Sequence, residues 1–592
     1  MSAADNTTPA PWLSNYGSWT PESIDYGSTT LVDIYNSNAE RNGELSATYF
    51  FGKTMDYADI DYQVNAAAAG LKAFGIRPGD RVAILLPNCP QHLIAFYAIS
   101  KLGAVVVEHN PQYTAHELEP LFRNHGARVA IAWDKCAGML DRLRGATDLE
   151  TIVSVNIIDE MPLLQRVALS LPIGKLKAKR DALTGDAPHT VPWSNLLSSA
   201  IGGEGRNIKY PEISPDDIAL ILYTSGTTGQ PKGALLSHGN LASNALQVRK
   251  WIPDLGHRHE RFLATLPMFH SYGFTMAVTL ATLVGAEIIL LPSPQVPLIM
   301  DIIKKHTPTY MPAVPTIYEK VMEAANEQGI DLNGIRVSIS GAAALPAEIV
   351  DKWEKLTGGM LVEGYGLTET SPVLTCNPIS DKRRAGCIGL PIPDTEIRIG
   401  NPENLDETQP YGVEGEILAR GPQVFQGYLD NADATAATFH NGWFRTGDQG
   451  VMDEDGYVRL VSRIKEIIIT GGFNVYPGEV EETLINHPDI VKAAVVGLPR
   501  HDGSEDVVAC VVLREGAELD PEGLKEFSRR ELARYKVPRK FFHFEELAAD
   551  QLGKLRRRQV QQDLIDRLAA NSQADAAAAD AAGTQDVAPV GA

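Results

Sequence analysis

Several signatures that would settle a function quickly are missing from this 592-residue chain. Its five cysteines, Cys89, Cys136, Cys376, Cys387 and Cys510, include no CxxC pair, and their number is odd. That argues against a disulfide framework and a structural zinc site, and it suits a reducing cytosol. No G-x-x-x-x-G-K-[ST] segment occurs, since Gly553-Lys554 is followed by Leu555, so a P-loop ATPase is disfavoured. G-x-S-x-G is also missing, which counts against a serine esterase of the α/β-hydrolase type. No apolar run reaches the ~18 residues of a spanning helix. The nearest, 274–286, is cut by Glu287 and reads as a buried helix. The N-terminus lacks the basic start and apolar stretch of a signal peptide, so the expected location is cytoplasmic. Positive charge is scarce too. Lys and Arg number 53 against 74 Asp and Glu, a net charge of -21, and so acidic a surface disfavours nucleic-acid partners.

What is present is a long alternation of elements. A chain of this length predicts two or more domains. Residues 1–50 show no clear period. From residue 80 strand and helix patterns alternate: 82–86 as a strand, 90–102 as a helix, and Thr114 to Glu117 as a capping box opening another helix. Repeated βα units predict a mostly parallel sheet covered by helices. Residues 155–215 break the rhythm. Within them 161–183 mixes Leu, Val and Ile with Arg166, Lys175, Lys177, Lys179 and Arg180. One reading is a basic amphipathic segment touching an anionic membrane at its inner face, as a peripheral contact; the other is a solvated helix-loop insertion, since Pro172 and Gly174 interrupt any long helix. The alternation resumes at 218 and runs to about 400; 411–460 look β-rich, and 463–566 form a second small α/β unit. Residues 567–592 lack aromatics and predict a disordered tail.

The richest segment is an apolar strand running into Tyr223-Thr224-Ser225-Gly226-Thr227-Thr228-Gly229-Gln230-Pro231-Lys232-Gly233. Glycines let the backbone approach an anion, hydroxyls and N–H groups donate to phosphate oxygens, and Lys232 adds a positive charge. A plain polar turn would have little use for so many small hydroxyl residues. Val362-Glu363-Gly364-Tyr365-Gly366-Leu367-Thr368-Glu369 offers an aromatic face, a hydroxyl and a hard oxygen ligand suited to magnesium, although a tight capped loop would use similar residues. Smaller signals are Ser340-Gly341-Ala342-Ala343, Gly442 to Asp448, Phe269-His270, the stretch 459–479 and Asp550 to Arg558. Each of these alone also fits ordinary packing, a turn or a solvated basic run.

Taken in order, these segments resemble the adenylate-forming superfamily of acyl-CoA synthetases, luciferases and peptide-synthetase adenylation domains. The resemblance runs from about 30 to about 566 and is most like bacterial long-chain fatty acid-CoA ligases. It implies an α/β fold: a large N-terminal domain of layered α/β sheets plus a β-rich subdomain over 1–461, and a small mobile α+β lid over 462–566. It implies that Thr224, Ser225, Gly226, Thr227, Thr228, Gly229 and Lys232 hold phosphates, and that Gly341, Ala342, Ala343, Gly364, Tyr365, Gly366 and Thr368 hold the adenylate. Asp448 would take the ribose hydroxyls and Arg463 the nucleotide. Glu369 would bind Mg²⁺. Lys554, His270, Thr228 and Glu369 would be the catalytic set, with Gly471 and Gly472 lining the pantetheine tunnel. The apolar residues after His270 would line an acyl pocket. The hinge aspartate of the family is Ser462 here, and Ala548-Ala549 replace its usual Pro and basic residue.

The implied reaction joins a fatty acid, of the long-chain class by resemblance, to CoA through an acyl-AMP, with ATP and CoA as cosubstrates and Mg²⁺ as cofactor. A homodimer is a further partner expectation. Two rival readings are an enzyme loading a carrier protein in place of CoA, and a non-catalytic nucleotide-binding module.

Overall fold

The computed structural model describes residues 10–198, 208–224, 231–463, 466–470, 473–500, 505–532, 534–550 and 553–583. The chain divides into two units. The first holds residues up to 446 together with 451–459, and the second holds 447–450 and everything from 460 onward.

Two large sheets organise the first unit. One has eight strands in the order Gly427–Tyr428, Lys232–Ser237, Ile218–Thr224, Val105–Glu108, Arg81–Leu85, Val129–Trp133, Thr151–Val155, Val191–Pro192. Its interior pairs are parallel, while Lys232–Ser237 lies antiparallel to both neighbours. The other has nine strands, in which Ser46–Phe50, Glu287–Leu290, Arg261–Ala264, Tyr310–Ala313, Val337–Ser340 and Met360–Gly366 run parallel. Strands such as Val337–Ser340 and Glu287–Leu290 are buried at every position, as expected for parallel sheets covered on both faces. A third, antiparallel sheet contains Glu396–Asn401, Gly415–Arg420 and Trp443–Met452, matching the β-rich stretch expected near 411–460.

Several local expectations hold. A helix spans Pro90–Lys101, buried along its whole length. Thr114 and Glu117 form a reciprocal capping box on Ala115–His125. The 274–286 segment is buried except at Leu283 and Val284, and among the described residues no helix is long and apolar enough to cross a membrane. All five cysteines are free.

Two local readings differ and one holds. The stretch 1–50, read as without period, contains the helix Leu31–Asn42 and the strand Ser46–Phe50. That helix is mostly polar and is fixed by a Thr30–Asp33 capping box, so its apolar signal is weak. The stretch 161–183 keeps to the helix-loop reading, with two short helices, Leu163–Ser170 and Gly174–Leu183, split at Pro172. The last helix runs Arg557–Gly583, into the segment whose composition suggested disorder. Alanine is the strongest helix former, so a run of it extends a helix that the absence of aromatics does not reveal.

The second unit is built on the strands Ile490–Pro499, Glu505–Leu513 and Lys540–His543. Alternate residues serve opposite faces. Val495, Val507, Ala509 and Val511 pack with Val480, Leu484 and Leu524, whereas Val496, Val508 and Cys510 pack with Leu547, Val560 and Leu564. Both faces being covered explains the nearly continuous apolar run 493–496.

Candidate active site

Parallel sheets present ligand sites beyond the carboxyl ends of their strands. Motif after motif falls there. Thr224 closes Ile218–Thr224, Gly341 follows Val337–Ser340, and Gly364, Tyr365 and Gly366 end Met360–Gly366. The His270 segment follows Arg261–Ala264.

Thr224 and Lys232 face each other across an antiparallel register, so they are the two posts from which the glycine- and hydroxyl-rich loop springs. Ser225, Gly226, Thr227, Thr228 and Gly229 lie outside the described residues. Behind Lys232, Gly233 leaves little space for a side chain: a Cβ would sit 3.0 Å from Ile221 and 3.4 Å from Leu429. Gly233 O also accepts the Leu429 N–H at 2.8 Å. This brings in the short strand Gly427–Tyr428, which pairs with Ala234 and Leu235.

That pairing assembles a cluster. The Tyr428 hydroxyl donates to Glu369 Oε1 at 2.7 Å. Lys232 Nζ lies 5.1 Å from the centroid of the same ring, within cation–π range. Burial, with the adjacent Glu369 carboxylate, pushes the Tyr428 pKa upward and keeps the phenol a donor. Glu369 is itself buried, and its carbonyl accepts the Phe425 N–H at 2.8 Å. No motif in the sequence assigns Tyr428 this role. The available signal was a tyrosine in a glycine-flanked strand that could pair with the lysine strand.

The second assembly surrounds Tyr272. Its hydroxyl donates to Ile339 O at 2.6 Å, and its ring lies beneath Gly341, where a Cβ would approach Cε1 to 3.0 Å. That Cβ would also stand 3.5 Å from Gly364 O, so the Gly341 and Gly364 segments run side by side. Ala342 adopts a left-handed φ of 68°, and Ala343 is exposed. Gly366 is forced: a Cβ would fall 1.7 Å from Pro372 O. Tyr365 is partly exposed, as a ring that must stack on a base would have to be.

His270 caps the helix Ser271–Phe274, its Nδ1 accepting the Tyr272 N–H at 3.3 Å. The neighbouring Ser271 hydroxyl lies 3.4 Å from that of Thr368, and Thr275 donates to Ser371 O at 2.7 Å. His270 and Thr368 thus belong to one hydrogen-bonded neighbourhood. The helix then widens into a π-helical turn over Thr275–Leu280, all buried, a deviation common at functional sites.

In the second unit, Asp448 is buried within Trp443–Met452. The chain leaves the first unit after Arg459, and Ser462 and Arg463 lie in the strand Val458–Arg463. Gly471 and Gly472 fall outside the described residues, and of Arg463 only the backbone is described. Lys554 sits in a tight turn: its N–H donates to Asp550 Oδ1 at 2.8 Å, its carbonyl accepts the Asp550 N–H at 2.8 Å, and Gly553 takes a φ of 77°. Arg557, in a stretch for which a solvated basic run was one alternative, is largely enclosed and pairs with Glu466 and Glu481.

Glu369 fits magnesium on chemical grounds. Mg²⁺ takes one or two carboxylates plus substrate phosphate oxygens and water. Among the described residues there is no cluster of three or more His, Cys, Asp or Glu side chains that could hold a metal ion by themselves.

Comparison with known proteins agrees with this geometry. Residues 35–429 match the AMP-binding enzyme family, and residues 479–554 match the AMP-binding enzyme C-terminal domain. The chain belongs to the AMP-binding enzyme family. A long-chain-fatty-acid–CoA ligase of Bacillus subtilis is 38% identical over 93% of this chain and 97% of its own length. A 4-coumarate–CoA ligase of Oryza sativa is 34% identical over 91% of this chain and 94% of its own. The O-succinylbenzoate–CoA synthetase structure of Bacillus subtilis, in complex with ATP and magnesium ion, superposes with a TM-score of 0.72 at 26% identity, covering 89% of this chain and 99% of that one.

Proposed function

We propose that this member of the family converts a long-chain fatty acid to its CoA thioester. The chain is an ATP-dependent acid–thiol ligase working through an acyl-AMP and releasing AMP and pyrophosphate. The observation that carries the reading is the Lys232–Tyr428–Glu369 cluster beside the hydroxyl-rich loop.

A carboxylate is a poor electrophile because its leaving group would be oxide. Its oxygen attacks the α-phosphorus of ATP and pyrophosphate departs; the thiol sulfur of CoA then attacks the acyl carbon, losing its proton as AMP departs. No enzyme nucleophile is required, so rate comes from positioning and neutralisation of charge. Bound Mg²⁺ supplies charge neutralisation on the triphosphate. Thr224 to Gly229 and Lys232 cradle phosphates, Gly341 to Ala343 and Gly364 to Gly366 take the adenine, and Thr368 donates to phosphate. Asp448 accepts from the ribose hydroxyls, and Arg463 contacts the nucleotide. Glu369 holds the metal with Tyr428 fixing one of its oxygens. Lys554 bridges carboxylate and α-phosphate, His270 stands between the acid and nucleotide sites, and Gly471 and Gly472 line the path of pantetheine. Lys554 and the two glycines share the second unit, which supports its turning near Ser462 as a lid between the two half-reactions.

The long-chain assignment is supported by the name of the Bacillus subtilis relative and by the mostly apolar, fully buried turn after His270. Peripheral contact with the inner face of a membrane belongs to the same reading, supported by exposed apolar and basic residues at 161–183. The test is pyrophosphate release across aliphatic acids of rising length and aromatic acids, with and without CoA. Long-chain acids should give the highest kcat/KM and a CoA-dependent thioester. A preference for aromatic acids, or adenylate that never passes to CoA, would overturn the substrate or the acceptor.

A further inference from the structure

We propose that Asn88 is a positioning residue for His270, fixing the segment that brings this ring to the carboxyl ends of the strands. Its bearing on catalysis rests on the reading of His270 as standing between the acid and nucleotide sites; the geometry of the clasp does not.

Asn88 lies in the loop after the strand Arg81–Leu85 of the eight-stranded sheet. It is 4% exposed, and its amide is directed wholly at another segment. Its Nδ2 donates to Ala264 O at 3.0 Å and to Leu266 O at 2.8 Å, and its Oδ1 accepts the Met268 N–H at 2.8 Å. Those three backbone groups belong to the turn that leads from Arg261–Ala264, in the nine-stranded sheet, to His270. Two acceptors and one donor match the two N–H groups and one carbonyl of a primary amide. Ionised Asp lacks the donors, Ser offers one, and an apolar side chain would leave three buried backbone groups without partners.

The clasp closes two residues before the chain surfaces. Leu266 and Met268 are buried, whereas Phe269 and His270 are partly exposed. From the other side, Gly273 lets the following helix press on the same turn, since a Cβ there would fall 2.0 Å from Pro267 O. The His270 N–H donates to Pro267 O at 3.1 Å. Its ring Nδ1 accepts the Tyr272 N–H, so the neutral ring carries its proton on Nε2, a donor suited to a carboxylate or phosphate oxygen.

Asn88 is itself held from behind. His92 Nδ1 donates to Pro87 O at 3.2 Å, and His92 Nε2 meets Glu108 Oε1 at 2.9 Å, both contacts buried. Glu108 ends the strand Val105–Glu108, which lies between Arg81–Leu85 and the strand that closes at Thr224. The tie therefore runs from the sheet that bears the phosphate loop to the sheet that bears His270. A misplacement of about 1 Å between two reacting groups can slow their reaction on the order of 100-fold, so a tie at this junction bears on rate as well as on folding.

The test compares Asn88→Asp, His270→Ala and the double variant in the two half-reactions. Asn88→Asp should slow adenylation on the order of 100-fold through kcat, with KM for ATP little changed. Thioester formation from supplied acyl-AMP, in which acid and nucleotide are already joined, should be largely retained. Adding Asn88→Asp to His270→Ala should lower adenylation little further, because residues acting through one another are not additive. With isotope-labelled histidine rings, the NMR resonance of His270, identified by its loss in His270→Ala, should move in Asn88→Asp. Asn88→Ser introduces no buried charge and should show the same split between half-reactions where Asn88→Asp folds poorly. Equal loss of both half-reactions in both Asn88 variants, additive losses in the double variant, or an unmoved His270 resonance overturns the proposal and leaves Asn88 a tie of the fold alone. If His270→Ala adenylates at the native rate while the resonance still moves in Asn88→Asp, the positioning stands and only the role given to His270 fails.

Discussion

Tyr428 reaches Glu369 from a strand that pairs with the lysine strand, and its hydroxyl sits 2.7 Å from Glu369 Oε1. One aromatic residue therefore touches both the proposed metal-binding carboxylate and, through its ring face, the Lys232 ammonium. The two charges are held near one another without forming an ion pair, which would consume the charge that each should offer to the triphosphate.

Tyr428→Phe keeps the ring under Lys232 and removes the tether on Glu369. Adenylation should fall roughly 10-fold, equivalent to ~1.4 kcal/mol for a hydrogen bond to a charged group. The magnesium concentration for half-maximal rate should rise, while KM for CoA stays constant. Steady-state pyrophosphate assays over a magnesium titration read this. A lowered kcat with unchanged magnesium dependence would make Tyr428 a packing residue only.

Much of this site was legible in the sequence because its loops carry residues that folding alone would not choose. The hydroxyl- and glycine-rich segment after Ile218–Thr224 and the Gly364 to Glu369 segment declare themselves by composition, and their placement at strand ends follows from the βα order. Tyr428 could not be read that way. Its partner in space is a strand nearly two hundred residues earlier, and register between distant strands is a tertiary fact. Arg557 misled for the opposite reason. A run of basic residues looks solvated until two glutamates from other elements close over one member. Likewise Tyr272 lies in the His270 segment with no role of its own in the sequence reading, and only the fold puts its ring under Gly341.

Lys554→Ala should abolish adenylate formation and leave thioester formation from supplied acyl-AMP largely intact. Lys554 is held by backbone contacts of its turn to Asp550, so removing the side chain leaves the turn in place. Half-reaction assays separate the two steps. Equal loss in both would show that the residue serves the architecture of the second unit.

His109 and His125 predict acid sensitivity beneath the signature strand. Their Nε2 atoms lie 3.1 Å apart, and His125 Nδ1 accepts the Ala127 N–H, so His125 donates and His109 accepts. Burial lowers His109 to about 3 and His125 well below the usual imidazole range. Below pH ~6.5 the unfolded chain takes up protons that the folded chain refuses. Stability is therefore full above that pH and falls as pH drops toward the folded values, by ~1.4 kcal/mol per pH unit for each ring. Urea midpoints should fall between pH 7.5 and 5, and His109→Phe/His125→Phe should flatten the slope. A residual slope is expected from His238, which burial lowers to about 4.

The last prediction concerns Arg557. Its Nη1 lies 2.5 Å from Glu466 Oε2, its Nη2 lies 2.5 Å from Glu481 Oε2, and its Nε donates to Glu481 Oε1 at 2.7 Å. Glu481 Oε1 in turn accepts the Val495 N–H, tying the helix Pro477–Ile485 to the central strand. Arg557 opens the final helix, so one guanidinium joins three segments of the second unit. Removing it leaves two enclosed carboxylates without a counter-charge, which typically costs ~3–5 kcal/mol. Arg557→Ala should lower the melting temperature of the second unit and depress both half-reactions together, unlike Lys554→Ala. Adding Glu466→Gln and Glu481→Gln to Arg557→Met removes the stranded charge and should recover part of the loss. If Arg557→Ala melts like the native chain, the bridge contributes no net stability, and the glutamates are solvated enough to stand alone.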